Sequence, residues 1–450
     1  MNPYLAGNFA PVTEEITATG LAVSGELPKE LNGRYLRNGP NPLGDTDAAA
    51  YHWFTGTGMV HGLRLREGRA EWYRNRYVGG DAVAKALGKP PVTGPNWSGG
   101  AHGPNTNVAG FAGRTWAVVE AGGTPVELTY ELDTVARNDF FGTLPGAFTA
   151  HPKFDSASGE LHAVAYAPGR WMGHVQYIVV GKDGRVRRTV DIPMGPSMVH
   201  DMSLTEKYAV IYDLPVTLDM KMAQAGSRFP FSWNPDYGAR VGFLPREGIA
   251  QDMIWIEIPL CYAYHPMNAY DRADGSVVID ICAFDRMFDH DRNGPIRDSL
   301  PRLERWEFDI AGRRSSVTVI DQTPQEFPRH APAVGTREYR YGYAVGFGTH
   351  PAGMTFKHDL VTGARTHYDY GPGRGAGESV FVPRESGGAE DDGWLLAFAH
   401  DFGGGPSSFV VLDAQDVARG PVAEVHLPQR VPFGFHGNWV SDASVPPAPA

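Results

Sequence analysis

Short runs rich in β-branched and aromatic residues recur along almost the whole chain, and this constrains the fold more than any other feature. RTWAVVEAG (114–122), ELHAVAYAP (160–168), VQYIVVGKDGRVRRTVDI (175–192), YAVIYDLPV (208–216), SVVIDICAF (276–284), YGYAVGFGT (341–349) and WLLAFAHDF (394–402) all read as strands. Turn dipeptides such as Asp183-Gly184 and Asp274-Gly275 stand between or within them, and VVGKDGRVRR reads as a tight hairpin. The 55 glycines and 36 prolines suit a punctuated meander better than long helices. The best helical pattern is DAVAKALG (81–88). So many antiparallel strands over 450 residues, with no evident linker, predict an all-β fold: one β-propeller or a large multi-sheet barrel. No WD or kelch signature marks a repeat. Residues 1–440 are expected to form one domain, and the Pro/Ala-rich tail 441–450 is expected to be flexible.

Charge and cysteine usage narrow the function classes. The net charge is −11 with no block of like sign, which argues against a nucleic-acid partner. Cys261 and Cys282 lie in separate apolar stretches, neither a disulfide framework nor a zinc-ribbon spacing, and are expected to be reduced core residues. MNPYLAGNFAPVTEE lacks a basic n-region and an apolar h-region, and no apolar run has the length of a spanning helix. A soluble, cytoplasmic protein is expected. The segment 214–244 is unusual in carrying large apolar residues without a steady period. It reads either as a long loop packed on the core or as an apolar lip of Val216, Leu218, Met220, Met222, Phe229 and Phe231 at a pocket mouth.

The sixteen histidines include four with a shared context: TAHPKFD (His151), MVHDMSL (His200), YAYHPMN (His265) and GFHGNWV (His436). Each stands near the end of an apolar or aromatic segment and precedes Pro, Asp, Pro or Gly. In CYAYHPMNAY (261–270), Pro266 is expected to end the strand at His265. Taken singly, each is most simply a half-buried, hydrogen-bonded side chain. No H-x-x-H, H-E-x-x-H or C-x-x-C pairing is present, so any metal site must be assembled from distant segments.

These four segments, together with RYLRNGPNP (34–42), WFTGTGMVHG (53–62), NTNV (105–108), VEAGGTPVEL (119–128), EFPRH (326–330), GESVFVPR (377–384) and FHGNW (435–439), resemble the carotenoid cleavage oxygenase family. The likeness runs in order from about residue 3 to residue 440. It implies a seven-bladed β-propeller, with loops and short helices capping the metal-bearing face. It further implies Fe(II) on the axis, held by His151, His200, His265 and His436. Glu120, Glu326 and Glu378 match the family's glutamates that accept N–H bonds from three of those rings, fixing tautomer and orientation. Thr106 matches a family threonine near the open coordination position, where O₂ enters as co-substrate. His61 and His330 fall in family motifs but are not matched to ligands.

The implied reaction is cleavage of one C=C bond of a carotenoid or apocarotenoid by O₂, giving two carbonyl products. The implied partner is therefore an apolar polyene or alkene, held in an aromatic tunnel for which Phe54, Met198 and Tyr264 are candidate lining residues. The lip at 214–244 would permit peripheral membrane association. A stilbene-cleaving dioxygenase on the same fold is the main competing reading. Lignostilbene-type members carry a lysine just before the first glutamate, as KED, where this chain has Val119. Redox-neutral isomerohydrolysis of a retinyl ester, and a propeller that only binds a partner, also stay open at the level of sequence.

Overall fold

A computed structural model describes residues 2–447, except 45, 98–102, 169, 296 and 349. Among the described residues the strands gather into seven antiparallel sheets and one separate two-stranded ribbon, Val216–Leu218 with Phe231–Trp233. The sheets are the blades of a seven-bladed β-propeller. Within a blade the chain steps outward strand by strand, as in Lys153–Asp155, Glu160–Ala165, His174–Val180 and Val186–Pro193. First strands of successive blades touch one another around the axis, as Met202–Leu204, Tyr262–Asp271 and Gln325–His330 do.

Burial follows this layout. The outermost strand Val186–Pro193 mostly alternates between exposed and half-buried side chains, whereas every residue of Gly33–Pro40 is buried. The largest apolar cluster fills the seams between blades with residues such as Tyr177, Val210, Phe243, Ile279 and Trp306. The hairpin at 181–185 turns on Gly184 at φ +79°, a backbone region that favours glycine. The ring closes twice. Gly437–Ser441 pairs with Gly33–Pro40, setting Trp439 opposite Tyr35, and Val23–Gly25 pairs with Pro421–His426, setting Val23 opposite Val425.

Three expectations are revised. Pro266 does not end its strand: Tyr262–Asp271 continues through it, with register shifts on both sides of Pro266. That strand is the edge of its sheet, where a missing N–H and an irregular ladder are tolerated. The first residues of the tail are held on the fold as far as Val445. The Asp442 N–H donates to the Asn32 carbonyl, its carboxylate accepts from the Tyr130 hydroxyl at 2.5 Å, and Val445 is buried; residues 448–450 lie outside the described residues. The segment 214–244 is neither a plain loop nor a uniform lip. It holds the two-stranded ribbon, the helix Met220–Gln224 and a strand of the fourth blade, Arg240–Pro245. Val216 is fully buried there, while Met220 is exposed.

No helix among the described residues is long and apolar enough to cross a membrane. Both cysteines are free, and Cys282 is buried.

Candidate metal centre

The propeller brings the four histidines together although hundreds of residues separate the first from the last. His151 and His200 lie two residues before the first strands of the third and fourth blades, and His265 lies within that of the fifth. His436 precedes the closing strand Gly437–Ser441 of the first blade. Their side chains are buried, between 4% and 9% exposed, and offer one ring nitrogen each within 4.8 Å of one another. Nitrogens sharing one ion at bonds of about 2.1 Å lie roughly 3–4 Å apart, so the set is close to a coordination shell.

The remaining three blades supply the carboxylates. Glu326 belongs to the first strand of the sixth blade, Glu378 lies between two strands of the seventh, and Glu120 follows the strand Arg114–Val118 of the second. His200 Nδ1 is 3.1 Å from Glu120 Oε1, His265 Nδ1 is 2.6 Å from Glu326 Oε2, and His436 Nδ1 is 2.9 Å from Glu378 Oε1. An ionised carboxylate only accepts, so a ring paired with one carries its proton on Nδ1 and leaves Nε2 a bare lone pair.

This donor set fits a metal ion. His200 Nε2 and His265 Nε2 face each other at 3.1 Å, a separation at which two lone pairs repel and a shared cation is favourable. His151 Nε2 is buried with no hydrogen-bond partner. Burial, with a smaller contribution from neighbouring imidazoles and cations, holds His151 and His265 well below the usual histidine range, so both are neutral and able to ligate. Burial alone would raise the Glu378 carboxyl, but Arg329 and His436 overcome it and hold it at about 2. Burial pushes Glu326 up, opposed by an N–H bond from Phe327. Positive charge among the four imidazoles would oppose that shift through His265.

Two cavities meet at this cluster, and His265 and His436 line both. One, of about 300 Å³, is walled mainly by aromatic and proline side chains, including Trp53, Phe54, Phe229, Tyr264, Phe284 and Phe435. The other, of about 390 Å³, is more polar and includes His151, Lys153, Asp201, Arg329 and Glu378.

Of the residues singled out in the sequence, Phe54, Tyr264 and Thr106 line the aromatic cavity. The Thr106 hydroxyl donates to Asn105 Oδ1 at 2.9 Å. Met198 does not line it: it is buried in the core, its carbonyl accepting from the Tyr262 hydroxyl. His61 pairs with the Tyr73 hydroxyl and His330 Nδ1 with the Ala331 carbonyl, both outside the cluster. Sequence reasoning missed Asp201, whose Oδ2 lies 3.8 Å from His151 Nδ1 and 2.8 Å from Lys153 Nζ. It also missed Arg329, which donates to Glu378 Oε1 at 2.8 Å, and Tyr166, whose hydroxyl donates to Glu120. Asp201 directly follows His200 and Arg329 stands inside EFPRH, but only the folded ring shows what either meets.

A seven-bladed propeller with four axial histidines and three supporting glutamates defines a class of non-haem metalloprotein. The retinal pigment epithelial membrane protein family profile matches residues 9–441. A carotenoid cleavage oxygenase of Mycobacterium tuberculosis is 46% identical, with 97% of each chain covered. The crystal structure of Pseudomonas brassicacearum lignostilbene dioxygenase superposes with a TM-score of 0.89 at 28% identity, covering 98% of both chains. Cobalt-substituted Synechocystis ACO superposes with a TM-score of 0.84 at 25% identity, covering 96% of this chain and 97% of that one. The chain belongs to the carotenoid cleavage oxygenase family, to which the retinal pigment epithelial membrane protein gives its name in the profile.

Proposed function

We propose that the protein is an Fe(II)-dependent dioxygenase that cleaves one C=C bond of a carotenoid or apocarotenoid, R–CH=CH–R′ + O₂ giving R–CHO and OHC–R′. The observation that carries this reading is the convergence of bare imidazole nitrogens at the end of an aromatic cavity. His151, His200, His265 and His436 would hold the ion, with Glu120, Glu326 and Glu378 fixing three of the rings. Iron there supplies the redox chemistry that lets O₂ react with a closed-shell alkene.

The rest of the work falls to the protein's own side chains. The net reaction transfers no proton, so the cavity needs no general acid or base. Phe54, Phe229, Tyr264, Phe284 and Phe435 exclude water and press a flat conjugated chain into one path beside the histidines. Thr106 contributes to the wall with its hydroxyl already engaged by Asn105. Val119, also in the wall, puts an apolar group where a phenol-binding subgroup keeps lysine, which favours a polyene over a stilbene. Met220, 50% exposed in the segment 214–244 that also supplies Phe229 and Phe231 to the cavity wall, would let the protein draw substrate from a lipid surface.

Anaerobic reconstitution with Fe(II), then aerobic incubation with β-apo-8′-carotenal and, separately, resveratrol tests the reading. Shorter apocarotenoid aldehydes, lost in His265→Ala, are expected. Cleavage of resveratrol alone would move the protein to the stilbene-cleaving branch, and bound iron with neither substrate touched would refute the substrate assignment.

A further inference from the structure

The aromatic cavity carries one permanent positive charge in its wall. Among the described lining residues Arg228 is the only arginine or lysine, and it is exposed, which places it at the rim. Its main chain is held on both sides. The Phe229 N–H donates to Ser227 Oγ at 3.3 Å, the Pro230 carbonyl accepts from the Asp219 N–H at 2.8 Å, and the buried Phe229 ring stacks on His52 at 3.9 Å. Arg228 makes no ion pair with any described residue. By contrast, the cations near the histidines on the polar side are neutralised, Lys153 by Asp201 and Arg329 by Glu378.

We propose that Arg228 selects a substrate whose outer end bears a carboxylate, a polyenoic acid. This rests on the polyene reading of the same cavity. Burial of a conjugated hydrocarbon gives affinity but little direction of entry, because hydrophobic burial is non-directional. A carboxylate stays in water at the rim, and a guanidinium meets it with two parallel N–H···O bonds that a lysine cannot match. Fixing that end at the rim fixes how far the chain reaches inward, and therefore which double bond lies beside the histidines. An uncharged aldehyde or hydrocarbon end gains nothing comparable. A lipid phosphate would also attract an exposed arginine, but this one forms part of the cavity wall.

The test compares β-apo-8′-carotenoic acid with its methyl ester. Dissociation constants are read by tryptophan quenching of the anaerobic Fe(II)-loaded protein in neutral detergent, for the natural sequence, Arg228→Lys and Arg228→Met. The preference for acid over ester is expected to fall about 10- to 100-fold in Arg228→Met and by less in Arg228→Lys. Equal losses for acid and ester, no change in the ratio, or failure of the natural protein to bind the acid would each overturn the proposal. So would an effect of Arg228→Met that appears only on vesicles of anionic phospholipid, which would assign the arginine to headgroups. Admitting air separates the two ideas: arginine-dependent binding without cleavage sinks the dioxygenase reading alone, and cleavage of the acid without dependence on Arg228 sinks this inference alone.

Discussion

Glu378 shows how much of the centre is set by single side chains. It accepts from His436 Nδ1 and from Arg329 Nε on one oxygen and from the Gly437 N–H at 2.8 Å on the other, so three donors engage its carboxylate. Glu378→Gln removes the charge and one acceptor while keeping the shape. Metal affinity is expected to drop about 10- to 100-fold, measured by competition with a chelator, with the circular dichroism unchanged. Retention of full affinity would mean that the carboxylate serves Arg329 and the fold rather than His436. At this scale the sequence was partly legible: residue types and family motifs named the histidines and the glutamates that meet them. Asp201, Arg329 and Tyr166 escaped because their partners lie on other strands or blades, and nothing local distinguishes them from ordinary polar residues. Met198 was named for its nearness to His200, yet its side chain went into the core, a direction that the fold around it decides.

At the scale of elements, the helix Met220–Gln224 beside Arg228 is too short to persist without its cap. Asp219 Oδ1 accepts from the N–H groups of Lys221 and Met222 at 2.9 and 3.1 Å. Asp219→Ala is expected to cost about 1 kcal/mol locally and to speed hydrogen exchange across Met220–Gln224 without shifting the global unfolding midpoint. A global shift of the same size would show that this turn belongs to the cooperative core. Strands and hairpins were well legible because period-two alternation and turn dipeptides are local signals. Pro266 misled for the opposite reason: a proline ends a ladder only where its N–H is needed, and an edge position is a property of the sheet. Residues 214–244 had no single period because they pass through a ribbon, a helix and a blade strand in turn.

On the scale of the whole molecule, several histidines are sealed in neutral form. Burial lowers His52 to about 3 and His358 to about 4, and burial with Arg37 nearby lowers His400 to about 3. The unfolded chain takes up these protons near pH 6.5 while the folded one refuses them, so their contribution is complete above 6.5 and shrinks as pH falls towards 4. Each group adds up to about 1.4 kcal/mol per pH unit to that slope. Urea midpoints are therefore expected to decline steadily between pH 7 and 5, and a flat profile would mean that the fold accepts these protons.

Closing the ring with the last of the described strands sets an order of assembly. On a ribosome the chain presents His151, His200 and His265 well before His436 exists, because His436 directly precedes the strand Gly437–Ser441 that pairs back onto Gly33–Pro40. An ion held by all four would therefore act as a clasp, binding three blades from the middle of the chain to the one that shuts the circle. Maturation of the centre and locking of the ring then become one event.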